Sequence, residues 1–212
     1  MRQYQVIVGM VLLTLGQTSA AQEVEFKHKA VSNWLAQGEL HLGVDKTRLE
    51  AHKALRCIKL NNYWCLKDFG WNGGLGKDAD DHTAFKTGYY AARAVVRNMR
   101  SAYSKHNRKS ALAIMSAYAP SDDCVGSRAA MRADGSCIHG QNPVAEYAKA
   151  AARGITNDVN ADLQLFDENN KATDALITFL QNLSTFEIGG FTVEAETIKI
   201  GICLEDDSCP HP

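Results

Sequence analysis

The chain predicts an α+β fold, mainly helical, built as one domain with a small β-hairpin and stapled by disulfides. Three observations carry this. Apolar residues recur at helical spacing through most of the second half. A glycine-rich polar stretch, 70–81, separates two short aromatic or apolar runs. Six cysteines, Cys57, Cys65, Cys124, Cys137, Cys203 and Cys209, fall into three sequential couples.

The first 21 residues read as a signal peptide. Arg2 gives a positive start, Val6 to Leu15 is apolar, and Thr18-Ser19-Ala20-Ala21 offers small residues for cleavage, so a mature chain is expected to begin near Ala21 or Gln22. The apolar run is well short of the ~20 residues that span a bilayer, and no membrane contact is expected after cleavage. Losing Arg2 leaves 22 basic against 24 acidic residues, a balance with no electrostatic case for nucleic acid. Periplasmic or secreted placement oxidises the cysteines, and local pairing of Cys57 with Cys65, Cys124 with Cys137 and Cys203 with Cys209 is the preferred connectivity. No couple has C-x₂-C spacing, and His82 and His139 complete no ligand pattern, so neither a metal nor a cofactor is expected.

Residues 22–44 form a polar lead-in with Val31, Trp34 and Leu35 as its apolar positions. A helix is predicted from Asp45, a good N-cap, with Leu49, Ala51, Ala54, Leu55 and Ile58 as its stripe until Asn61-Asn62 stops it. Tyr63 to Lys67 reads as a short strand, 70–81 as a hairpin tip, and His82 to Lys86 as the return strand. Asp78, Asp80 and Asp81 lack the alternation and closing Glu of a calcium loop. Helices follow over Tyr89 to Tyr103, with Ala92, Val95, Val96 and Met99 inward, and over Ser110 to Tyr118, ended by Pro120. Two more are predicted at Pro143 to Arg153 and Thr173 to Phe186, the latter burying Leu176, Ile177, Leu180 and Leu183. The polar loop 121–142 is long enough to need tying down by Cys124 and Cys137. Phe191 to Ile202 alternates as a strand would.

A family resemblance rests on the order of several short motifs. Asn61-Asn62, Trp71-x-Gly73, Phe85, Ala91-x-Arg93-Ala94, Ser116-Ala-Tyr-Ala-Pro120 and Tyr147-Ala-x-x-Ala151 together resemble the lysozyme-like module of phage and bacterial proteins marked by an NNPGNIR strand. The Asn-Asn and Trp-x-Gly pair is also similar to the NNLFGIK region of bacterial N-acetylglucosaminidases. The likeness covers roughly Cys57 to Gly190. It implies a lysozyme-like domain over 45–212 and, as partner, the glycan strands of peptidoglycan. Tyr63-Trp64-Cys65 departs from the phage Pro-Gly-Asn, and Tyr118 stands where Trp is usual.

Glycoside cleavage needs a carboxylic acid that keeps its proton near neutral pH. Glu50, on the helix preceding the Asn-Asn strand, is the leading catalytic candidate; as an exposed helix residue it would instead pair with Lys46, Arg48 or Lys53. Asp81 is the candidate second carboxylate, with Asp78 and Asp80 beside it and His82 to orient one of them, although such a cluster also simply solvates a tip. If Glu50 is not the acid, these aspartates and Glu187 remain. Asn61, Asn62, Lys67 and Asn72 are candidates for hydrogen bonds to sugar and N-acetyl groups, and Tyr63, Trp64, Trp71 and Tyr118 for stacking, each also a plausible structural residue. The expected function is cleavage of peptidoglycan glycosidic bonds, as a muramidase, glucosaminidase or lytic transglycosylase. The alternatives are a non-catalytic peptidoglycan-binding or envelope-assembly module of the same fold, and a structural accessory protein. Protein partners are not indicated.

Overall fold

The computed structural model describes residues 56–78, 80–125 and 131–208. The expected signal peptide, the lead-in, most of the helix expected from Asp45, Glu50 and Cys209 lie outside the described residues. Within them the protein is mainly helical, with six α-helices and one two-stranded antiparallel sheet. None of those helices is long and apolar enough to cross a membrane.

Helix α1 (Arg56–Lys59) is the end of the first expected helix and buries Cys57 and Ile58. The hairpin follows. Strand β1 (Gly74–Lys77) pairs with β2 (Thr83–Phe85), setting Gly74 opposite Phe85 and Lys77 opposite Thr83. The outgoing strand therefore lies inside the stretch expected to be loop. Residues 63–67, expected as that strand, contribute only an isolated bridge from Lys67 to His82. The reason is local. Asn62 accepts from the Leu66 N–H at 2.8 Å and donates to the Leu66 carbonyl at 2.8 Å, which curls the chain against the strand tendency of Tyr63 and Trp64.

Helix α2 (Gly88–Arg100) turns Ala91, Ala92, Val95, Val96 and Met99 inward and runs on into a π-helical turn at Ser101–Lys105. Helix α3 (Ala111–Tyr118) begins at Ser110, whose Oγ accepts from the Ala113 N–H at 3.2 Å, one of the donors that a helix start leaves open. Helices α4 (Val144–Ala151) and α5 (Asp174–Glu187) form where helices are expected; α5 buries Leu176, Leu180 and Leu183 as expected, but Phe179 and not Ile177 completes its face.

The C-terminal segment differs from expectation. It forms helix α6 (Ala195–Glu205), not a strand. Thr197, Ile198, Gly201 and Leu204 are buried, a spacing of one helical face that the Val193-x-Ala195-x-Thr197 alternation masks. Gly201 is where α6 crosses α2: a Cβ there would stand 2.5 Å from the Ala92 Cβ and 2.6 Å from its carbonyl carbon. Arg93 bonds Glu205 at 3.3 Å and Arg100 bonds Asp206 at 2.7 Å along the same crossing.

Disulfides Cys57–Cys65 and Cys124–Cys137 are present, as local pairing predicts. Cys203 is also disulfide-bonded; its expected partner, Cys209, is outside the described residues.

Candidate functional site

The Asn-Asn pair is spent on the fold. Asn61, at a φ of 51°, donates its amide to the carbonyls of Phe85 at 3.2 Å and Lys86 at 3.3 Å. Asn62 adds a bond to the Thr83 carbonyl at 2.9 Å to those it makes with Leu66. Both side chains are fully buried and clamp β2 to the preceding turn. Tyr63 and Trp64 are likewise completely buried, the Trp64 indole N–H donating to the Leu180 carbonyl at 2.9 Å. These four residues, expected to meet a ligand, present no surface to one in this structure.

The acids of the hairpin tip form a paired cluster. Asp78, buried, accepts from the N–H groups of Asp80 and His82, each at 2.9 Å, and faces Arg56 Nε at 3.3 Å. His82 Nδ1 lies 3.4 Å from the same carboxylate. Burial alone would push the Asp78 pKa up, but the bonds from His82 and the charge of Arg56 outweigh it and hold the group at about 2. Asp80 pairs with the other arm of the Arg56 guanidinium, and Lys67 Nζ bonds the Asp80 carbonyl at 2.7 Å. Asp81, in the left-handed region at a φ of 66°, pairs with Lys77 at 2.7 Å with both side chains about half exposed. His82 is thus a buried strut that holds the tip, with 4% of its surface exposed.

What remains accessible is the turn between the clamp and β1. Phe69 is 79% exposed and meets Trp71 edge-on with ring centroids 6.0 Å apart. The indole is held from behind by its N–H bond to the Lys67 carbonyl at 2.8 Å, and Asn72 is exposed beside it. On one side of Phe69 runs an open groove of about 610 Å³ lined by Lys67, Asp68, Lys77, Asp80, Asp81 and the 120–123 turn. The expected Lys67, Trp71, Asn72 and Asp81 therefore lie around one surface, and Phe69, which sequence reasoning passed over, is its ridge. The signal for Phe69 was available: an apolar ring beside Asp68 and Gly70 in a polar turn has no core to enter.

A second feature lies behind the Cys57–Cys65 bridge. Glu187 ends α5, and the Cys65 sulfur sits 3.9 Å from its carbonyl oxygen. Burial raises its carboxyl from the ordinary 4.5 to about 7. Tyr118 and Tyr147 both stand close enough to feel its charge, and burial is the larger cause of their own raised pKa values. The Tyr118 hydroxyl donates to the Trp64 carbonyl, so this ring, expected to stack on sugar, is instead a wall of the Glu187 environment. Tyr147 packs against Phe186 with centroids 4.0 Å apart. Two chain segments lead from this corner to the groove, from Cys65 to Lys67 and from Tyr118 to Pro120.

The spacing Leu176, Leu180, Leu183, Glu187 already puts this carboxyl on the buried face of α5, which is the sequence signal for its role. Among the described residues no group of three or more His, Cys, Asp or Glu is arranged to hold a metal ion. Compared with protein-family models and with curated proteins, the chain matches neither a family model nor a curated protein.

Proposed function

We propose that the chain is an exported protein of the periplasm or cell exterior that cleaves glycosidic bonds in peptidoglycan, within a lysozyme-like fold. The observation that carries this reading is Glu187, a carboxyl whose burial beside Tyr118 and Tyr147 lets it keep its proton up to about pH 7. Such a group is what a leaving glycosidic oxygen requires. In the proposed step the C1–O bond breaks, its electron pair goes to the leaving oxygen, and that oxygen takes the Glu187 proton. The cation at C1 is then captured by water or by a hydroxyl of the same sugar, whose proton passes to the Glu187 carboxylate and restores the acid, which gives hydrolysis or transglycosylation respectively. Groove carboxylates stabilise that cation, and Phe69 covers a sugar face along the rim.

The disulfides agree with an exported setting. A second reading, the non-catalytic binding module, draws on a different observation: Asp78 is fixed by Arg56 and His82 in a structural role, and Asp81 is paired with Lys77. The two separate on one assay. Oxidised wild-type protein should release soluble muropeptides from purified sacculi, and Glu187→Gln should bind sacculi without releasing them. Binding without release by wild type leaves the binding module; full activity in Glu187→Gln moves the acid to Glu50.

A further inference from the structure

Across Phe69 from the acidic groove lies a smaller pocket of opposite character. It measures about 150 Å³ and is bounded by Phe69, Trp71, Asn72, Arg93, Arg97 and Glu205. Arg93 is committed to Glu205 at 3.3 Å, and Glu205 also faces Arg100 at 3.9 Å, so the one acid of the pocket is already shared between two guanidinium groups. Arg97 is exposed and forms no ion pair among the described residues. Beside it the Trp71 ring is fixed by its bond to the Lys67 carbonyl, and the Asn72 side chain is open to solvent. The site therefore offers a planar cation, an amide and an aromatic wall. That set recognises a carboxylate attached to a short apolar stem. Its volume of about 150 Å³ has room for a carboxylate and its first carbons.

Resting on the glycan-strand reading above, we infer that this pocket binds a carboxylate of the peptide branch carried by the polymer, while the glycan lies in the groove beyond Phe69. The acidic groove would repel that carboxylate, so the two sides of the ridge sort the two parts of one substrate.

The test uses calorimetric titration of full-length oxidised protein with three soluble probes: a disaccharide-tetrapeptide, the same fragment with its carboxylates amidated, and the tetrapeptide alone. For wild type, amidation should weaken binding about tenfold, the loss of one charge-assisted pair. Arg97→Gln should bind the free acid as weakly as the amide, and Arg97→Lys should restore part of the difference, with melting temperatures unchanged because Arg97 is exposed. Equal wild-type affinity for acid and amide, or an unaltered affinity in Arg97→Gln, overturns the inference and leaves the glycan reading standing. If the tetrapeptide alone binds with full Arg97 dependence and its disaccharide adds nothing, the pocket stands and the glycan reading falls.

Discussion

Asp78, in the hairpin turn, and Glu187, at the end of α5, are both carboxyl groups withdrawn from solvent, and they titrate about five pH units apart, near 2 and near 7. Burial pushes both upward. Asp78 ends low because Arg56 and His82 were built around it and two backbone N–H groups point at one of its oxygens. Around Glu187 the neighbours are phenol rings, a disulfide and the carbonyl end of its own helix, and burial alone sets the result. Acid density is thus a poor guide to acid chemistry: the crowded hairpin holds Asp78 ionised, and the solitary glutamate holds a proton. The first arrangement fastens a loop, and the second is suited to proton donation.

The largest expected effect lies on the Asp78 side. Asp78→Ala removes one of the two acidic partners of a partly buried guanidinium and the acceptor for two N–H groups, and should cost about 3 kcal/mol in urea unfolding at neutral pH. Asp78→Asn, which keeps an acceptor, should cost less. Because the folded pKa is depressed, the wild-type contribution is present above about 3.8 and is lost as pH falls toward 2. A flat difference between wild type and Asp78→Asn from pH 6 to pH 2.5 would break this half of the comparison.

Next comes turnover. Loss of acid–base help typically costs at least about 100-fold, and that is the drop expected for Glu187→Gln in muropeptide release. The active form is the protonated one, so wild-type release should decline as pH rises through about 7. Asp81→Asn should retain that limb, since its carboxylate sits outside the Glu187 corner. A basic limb that survives Glu187→Gln would assign the proton to another group.

The same substitution should stabilise the protein. A folded pKa raised above the unfolded one contributes stability below about 4.5 that is lost as pH climbs through 7. The difference is worth at most about 3 kcal/mol, and partial contact with solvent brings the expectation to about 2. Relative to wild type, Glu187→Gln should therefore gain stability between pH 5 and pH 8.5, read as the pH dependence of the two urea midpoints. A gain in stability with a loss of activity separates a site residue from a structural one.

These contrasts were only partly legible in the sequence. Helices α2 to α5 were readable from apolar spacing and helix stops, as in the run Leu176, Leu180, Leu183 and at Pro120 after α3. Helix α6 was misread because Val193, Ala195 and Thr197 alternate, while the fact that decides it, the close approach of Gly201 to Ala92, is tertiary. Strand β1 hid in a glycine-rich run for a similar reason: Gly73, at a φ of 75°, lies where a Cβ would stand 2.2 Å from the Tyr90 ring, so backbone freedom and packing place the strand, not its propensity. At the site, Asn61 and Asn62 have the chemistry of sugar ligands, and only the positions of Leu66, Thr83 and Phe85 reveal that their hydrogen bonds are already used. Glu187 was visible as an acid on an apolar stripe. Its aromatic surroundings come from α3 and α4, distant in sequence.

The smallest expected effect tests whether pairing alone, without burial, matters at the hairpin. Lys77 and Asp81 meet at 2.7 Å, as close as many strong pairs, but their side chains are 51% and 47% exposed. Lys77 is shifted upward chiefly by its hydrogen bond to Asp81, then by that carboxylate's charge. Water and salt screen such an exposed pair, in contrast with the buried carboxylate of Asp78 facing Arg56. Lys77→Gln should therefore move the melting temperature by about 2 °C or less, and by less still in 0.5 M salt. A large, salt-insensitive loss would mean that the hairpin tip is held as a single unit from Arg56 through Lys77, and that Asp81 belongs with Asp78 among the structural acids and not with the groove.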